Sequence, residues 1–254
     1  MSKYASAIYS QGNVSIVNSI FKNLHANETA GAIAVKKFKY VEINNCTFIN
    51  TTSVRNGGAI FIDASFNKTA PVYIQYSAFI NSSGDFGGAL VQLNGVLMME
   101  GCVFVNNTAK YSGAAIYESF TSSYIGNSVF ESNKIINEEL FDGGAIYSDY
   151  SGLTLINSIF TNNTKNAIYS YASNLNITKN TFKNNGEAIH RVFGNENDVI
   201  ANNKINKDIL VLNDADYASV VSENSMKLEL INNTINVTNI PARLFARLGM
   251  GNSR

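Results

Sequence analysis

"GGAI", at Gly57–Ile60, comes back as "GGAL" at Gly87–Leu90, "GAAI" at Gly113–Ile116 and "GGAI" at Gly143–Ile146. Reduced forms extend the series: "SAI" (6–8), "GAI" (31–33), "NAI" (166–168) and "EAI" (187–189). A second landmark alternates with the first: "NSIF" (18–21), "NCTF" (45–48), "YSAF" (76–79), "GCVF" (101–104), "NSVF" (127–130), "NSIF" (157–160) and "KNTF" (179–182), fading to "NNKI" (202–205) and "NNTI" (232–235). The phenylalanines Phe21, Phe48, Phe79, Phe104, Phe130, Phe160 and Phe182 are spaced 27, 31, 25, 26, 30 and 22 residues apart. A fixed core with elastic loops marks a solenoid, in which each unit packs on its neighbours.

Within a unit the apolar residues alternate, as in Val14/Ile16, Val41/Ile43, Val72/Ile74, Leu97/Met99, Leu153/Leu155 and Leu175/Ile177. Period two means strands, and no helical period survives. Three short strands fill a unit of this length, and the leucine-x-x-leucine-x-leucine string of a leucine-rich repeat is absent. The expected fold is all-β: a right-handed parallel β-helix of about eight or nine turns over residues 1–240, with a non-repeat tail at 241–254. The loops after Phe160 and Phe182 are shorter than the earlier ones, so the coil should narrow towards its C-terminal end.

Stacking in register turns each position into a column with a spacing of ~4.8 Å. The phenylalanines then form an internal pile of rings. Glycine ahead of the aliphatic column (Ile8, Ile33, Ile60, Leu90, Ile116, Ile146, Ile168, Ile189) permits a bend with positive φ, and alanine lets the turn tuck in. Asn18, Asn45, Asn127, Asn157, Asn202 and Asn232 fit a left-handed corner and can hydrogen-bond from turn to turn as an asparagine ladder. Asn23, Asn50, Asn81, Asn106, Asn162 and Asn184 repeat this at the exit from the phenylalanine strand. Asn50, Asn81, Asn106 and Asn162 also read as N-x-[ST], a glycosylation acceptor in an exported protein. Cys46 and Cys102 share a column of small residues two turns apart, too far for a disulfide, and stand in for serine.

Composition excludes several functions. Nineteen basic and nineteen acidic residues cancel, so no field draws the chain to nucleic acid. No apolar run is long enough for a membrane span, and the opening "MSKYASAIYSQG" lacks a signal peptide's apolar stretch. The repeat starts in mid-unit without a cap, and an open coil end exposes unpaired backbone. The chain is therefore expected to be part of a longer repeat protein.

Candidate chemistry is sparse. The acids are scattered; Asp63 and Asp149 share a register three turns apart, whereas a glycosidase needs a close carboxylate pair. Glu138, Glu139 and Asp142 cluster in the longest loop, where a solvated loop competes with a cation site. His25 and His190 stand alone, and no metal or catalytic triad emerges, so neither enzyme activity nor a cofactor is expected. The best binding surface is an aromatic strip, Tyr9, Phe61, Tyr117, Tyr147 and Tyr169, beside the aliphatic column. If the isoleucines face in, these rings face out and suit sugars or a partner protein; the opposite arrangement stays open.

"FINTTSVRNGGAIF", "FVNNTAKYSGAAIY" and "FTNNTKNAIY" resemble the glycine-glycine-alanine-isoleucine and phenylalanine-x-x-asparagine repeats of polymorphic outer-membrane proteins. They are still more similar to repeats of the adhesin-like surface proteins of methanogenic archaea. The resemblance covers about 230 residues. It implies a right-handed parallel β-helix displayed outside the cell, with a role in adhesion; surface glycans or proteins of a host or partner cell are the expected partners. The tail "IPARLFARLGM" is faintly similar to the linker before a papain-like peptidase domain in some archaeal members, which makes a passive spacer a further option. A pectate-lyase-like, polysaccharide-active coil is the enzymatic alternative.

Overall fold

The computed structural model describes residues 4–137, 144–208, 220–223 and 228–238. The Glu138, Glu139 and Asp142 loop and the tail at 241–254 lie outside them. The described residues are all-β and every strand pairing is parallel: the alternating pattern has folded into a parallel β-helix. Each turn contributes to three sheets. The first sheet, with nine strands, starts at the aliphatic landmark and runs from Ile8–Gln11 to Val220–Glu223. The second, also nine-stranded, runs from Val14–Val17 to Leu228–Ile231. The third has twelve strands and carries the phenylalanines, from Ile20–Ala26 to Thr234–Thr238.

The extra strands of the third sheet are Ser83–Phe86, Thr108–Ser112 and Lys134–Ile135. They follow the phenylalanine strands of the middle turns. The shorter loops after Phe160 and Phe182 carry no counterpart, so the cross-section narrows as their lengths require.

Register is kept throughout. Ile33, Ile60, Leu90, Ile116, Ile146, Ile168 and Ile189 pair in succession and are fully buried. This decides the open question of which neighbour faces inward. The phenylalanine rings lie one over the next, with centroids 4.5–5.1 Å apart and planes within 18° of parallel. Phe48 to Phe182 are buried, while Phe21, in the first turn, is partly covered.

The opening motif has two separate physical causes. The first glycine takes the left-handed backbone, with φ of 57° at Gly57, 58° at Gly87 and 65° at Gly113. The second is a close approach between turns. A Cβ on Gly58 would sit 2.0 Å from the Gly88 carbonyl oxygen, and one on Gly88 would sit 2.1 Å from that of Ala114.

Asn18, Asn45, Asn127, Asn157, Asn202 and Asn232 have φ between 47° and 57°. The exit column, from Asn23 to Asn184, has φ between 52° and 57°. Amide bonds join some neighbours, as from Asn45 Nδ2 to Asn18 Oδ1 at 2.7 Å and from Asn50 Nδ2 to Asn23 Oδ1 at 3.0 Å. Cys46 and Cys102 are buried and unpaired. Their N–H groups each donate to the Oγ of the next turn's serine, Ser77 or Ser128, at 3.1 Å.

The interior also holds a polar seam. Two residues past the inward aliphatic, the column reads Val35, Ile62, Gln92, Glu118, Ser148, Ser170 and Arg191, all fully buried. Arg191 Nε pairs with Asp198 at 2.6 Å, and both are buried.

Candidate functional site

Alternation sends the residue after each inward aliphatic to the outer face of the first sheet. That column reads Tyr9, Ala34, Phe61, Val91, Tyr117, Tyr147, Tyr169 and His190. The strip expected from sequence is thus outward but interrupted, because Ala34 and Val91 separate Tyr9, Phe61 and Tyr117. Only its C-terminal part is continuous: Tyr117, Tyr147, Tyr169 and His190 stack at 5.3, 5.1 and 4.9 Å.

The strip is also less exposed than its facing suggests. Phe61 is 5% exposed and Tyr169 is 8% exposed. Phe61 packs in a small apolar cluster with Ala5, Ala30, Ala34 and Val91, against which Phe86 lies. Phe86 also meets Tyr117 edge-on at 5.4 Å. Tyr9, 43% exposed, stacks on Tyr4 at 5.0 Å. Residues ahead of three of the motifs, Ala5, Ala30 and Phe86, thus pack over the outer face of the first sheet and cover rings that alternation alone would leave in water.

A further group of exposed rings lies one corner on, where the first sheet bends into the second. In six turns the bend places a residue in the left-handed region: Lys37 (φ 52°), Asn94 (58°), Phe120 (52°), Tyr150 (45°), Ala172 (46°) and Phe193 (51°). Phe120 is 62% exposed, Tyr150 52% and Phe193 48%. Phe120 and Tyr150 stack at 5.4 Å with planes 9° apart. Tyr171 meets Tyr150 edge-on at 5.6 Å and Phe193 at 5.4 Å. Sequence reasoning missed this corner. Its rings follow the first-sheet strands at positions filled in other turns by lysine, asparagine or alanine, so no residue type repeats.

Beside these rings runs a groove of about 740 Å³. Its ends are marked by Lys68 and Thr69 of the third turn and by Asn195, beyond Phe193. Between them lie Asn94, Phe120, Tyr150, Asn174 and the backbone of Gly95 and Gly152. Six successive turns therefore contribute, a length of roughly 24 Å at the strand spacing.

Charge is scarce here. Lys68 is the one charged side chain of the lining. Asp149, on the outer face next to this corner, is pushed up from the ordinary carboxylate value by partial burial, opposed by a hydrogen bond from Ser119 Oγ at 2.9 Å. Asp63 and Asp149 share a register three turns apart. His190 Nδ1 lies 2.9 Å from Glu187. Among the described residues, no three His, Cys, Asp or Glu side chains are grouped to hold a metal ion. No helix there is long and apolar enough to cross a membrane.

Stacked parallel turns with a filled interior and loops on the outside define the class of right-handed β-helix repeat proteins. The chain belongs to that family: the right-handed β-helix region matches residues 58–235. Over 145 residues it is 27% identical to metabotropic glutamate receptor-like protein Q of Dictyostelium discoideum. That match spans 53% of this chain and 12% of the relative, so the chain corresponds to a small part of that protein's length.

Proposed function

We propose that this chain is a non-enzymatic binding region of an extracellular or cell-surface protein, an adhesin-type coil that holds glycans or partner proteins on its outer wall. The observation that carries it is the row of exposed rings at Phe120, Tyr150 and Phe193 beside a groove six turns long. Water-exposed aromatic surface at a left-handed backbone contributes nothing to the core, and such surface marks interaction sites. The receptor-like name of the Dictyostelium relative accords with display at a surface. The wide spacing of Asp63 and Asp149, and the bond that Asp149 already makes to Ser119, support a binding role over hydrolysis.

Two measurements test this. Protease shaving of intact cells should release peptides of this chain; protection until lysis refutes surface display. Incubation with polygalacturonate, with and without calcium, should liberate no unsaturated or reducing ends; turnover would replace the binding role with an enzymatic one.

A further inference from the structure

We infer that the second corner of the coil, over its third to fifth turns, is a docking site for a basic polypeptide segment that sets an arginine against Tyr76, Glu100 and Tyr124. This site is separate from the groove of the first corner and does not rest on it.

Three observations carry it. The first is a break in the asparagine ladder. Where the second sheet bends into the third, Asn18, Asn45, Asn127 and Asn157 hold φ between 47° and 53°. In the third and fourth turns the same column reads Tyr76 and Gly101. Tyr76 keeps the left-handed backbone, at φ 49°, which a bulky residue adopts at a cost. Its side chain is on the outside, 62% exposed. Gly101 makes room for it, because a Cβ there would stand 2.7 Å from Tyr76 Cδ1. The two changes fit each other. They interrupt the ladder and hold an aromatic ring in water, where it adds nothing to the core. Strain of this kind collects at sites where it has a use. Among the described residues Tyr76 meets no other ring.

The second is charge. The nine strands of the second sheet contain Glu42, Glu100, Asp198 and Glu229 and no lysine or arginine. Asp198 is paired with Arg191 inside the coil, so the charge that this wall turns outward is glutamate's. On the corner column, the first lysine beyond Gly101 is Lys179, three turns away. Glu100 lies next to the corner. Its Oε1 accepts from Asn127 Nδ2, and its Oε2 makes no hydrogen bond among the described residues. Glu100 Oε2 and Tyr124 Oη both lie within 3.1 Å of where a Cβ on Gly126 would stand. The missing side chain of Gly126 thus brings an open acceptor and a phenol together beside Tyr76.

The third is the apolar surround. Tyr73, Met98 and Tyr124 stand in register in successive turns on the outer face of the second sheet. Tyr73 is 40% exposed and Met98 37%. Tyrosine and methionine are enriched at protein interfaces, whose centres are poor in charge. A guanidinium is planar, forks onto a carboxylate and packs against aromatic rings. Glu100 Oε2 with Tyr76 and Tyr124 therefore suits arginine, and Met98 and Tyr73 offer contact to its stem and to an apolar neighbour in the segment. An acidic peptide or a polyanion is repelled by the same glutamates.

The test selects random linear peptides displayed on phage against the purified chain, then titrates the enriched peptides in solution. Arginine-bearing sequences should be enriched. Replacing their arginine by citrulline, which keeps the shape and removes the charge, should weaken binding roughly tenfold or more. Tyr76→Asn restores the residue found at this corner in other turns, so it should fold at least as well as wild type. Glu100→Gln keeps an acceptor for Asn127 and removes the charge. Each should weaken binding roughly fivefold or more. The double variant Phe120→Asn, Tyr150→Asn, at the first corner, should bind as wild type does. Selection without arginine, citrulline peptides that bind equally well, or binding that survives both Tyr76→Asn and Glu100→Gln overturns the inference. Binding lost only in Phe120→Asn, Tyr150→Asn moves the peptide site to the first corner, which overturns this inference and leaves the surface-binding reading intact. Self-association of wild type in sedimentation, abolished by Glu100→Gln, assigns the corner to a second copy and likewise overturns it.

Discussion

Replacing Glu118 by Gln should remove most of this protein's pH dependence between about pH 4.5 and 7.5. Glu118 sits in the interior polar seam and is fully buried. Its Oε1 accepts from Ser148 Oγ at 2.7 Å. Its Oε2 has no partner, and the Ser123 hydroxyl near it is turned to the Gly152 carbonyl. Gln92, directly paired in the adjacent turn, also has an unpartnered oxygen, Oε1, because its Nε2 is engaged by the Asn94 carbonyl. A proton on Glu118 supplies the donor that this part of the core lacks. Burial pushes the carboxyl from 4.5 up to about 7, with the hydrogen bond from Ser148 pulling the other way.

The direction follows from proton counting. The folded value lies above the unfolded one, so between the two the native state holds a proton that the unfolded chain has released. Stability is therefore fully present below about pH 4.5 and is lost as pH rises towards 7. A gap of about 2.5 pH units corresponds to about 3 kcal/mol, or roughly 6–12 °C in melting temperature for a chain of this size. Asp149 is displaced in the same direction and leaves a smaller residual slope. Urea melts from pH 4.5 to 8 should show wild type losing about 3 kcal/mol. Glu118→Gln should match wild type at pH 4.5 and exceed it by about that amount at pH 8. A wild-type stability that is flat or rising across this window, or an equal slope in Glu118→Gln, refutes the argument.

Two further substitutions probe the packing. Phe104→Ala removes a ring stacked on both sides, at 4.6 Å from Phe79 and 4.9 Å from Phe130, and should cost ~3–5 kcal/mol in chemical denaturation; an unchanged midpoint would contradict a load shared along the stack. Asn133→Ala strips partners from the buried Asn107 N–H (3.1 Å) and the Phe104 carbonyl (3.1 Å). Two orphaned groups at ~1–3 kcal/mol each make it as damaging as the ring deletion, and hydrogen exchange at Asn107 should accelerate more than at distant turns.

The interior asparagines show how far sequence carries. The phenylalanine-x-x-asparagine spacing was legible, yet the exposed asparagines of the exit column were given the structural role. Asn107, Asn133 and Asn163 are buried and bonded in succession, each amide reaching the carbonyl of the phenylalanine one turn back. Nothing in the residue type separates an asparagine that turns a corner from its neighbour that seals the inside. The difference is one step of parity, and it acquires meaning only when another turn lies underneath. Glu118 is similar: parity places it inward beside Ile116, but a lone carboxyl in sequence reads as solvated until Ser148 and Gln92 are seen around it.

Sequence by itself determined the coil, because strand alternation, glycine at positive φ and a recurring ring are local requirements that each unit satisfies from its own residues. It also determined which residues stack, since equal positions in successive units must coincide once the turns are in register. Tertiary structure alone decided what water reaches. Phe86 packs against Tyr117 and the cluster around Phe61, and the bend at Phe120 and Tyr150 borders the groove, because exposure depends on how loops from different turns lie against one another, and no single unit encodes that.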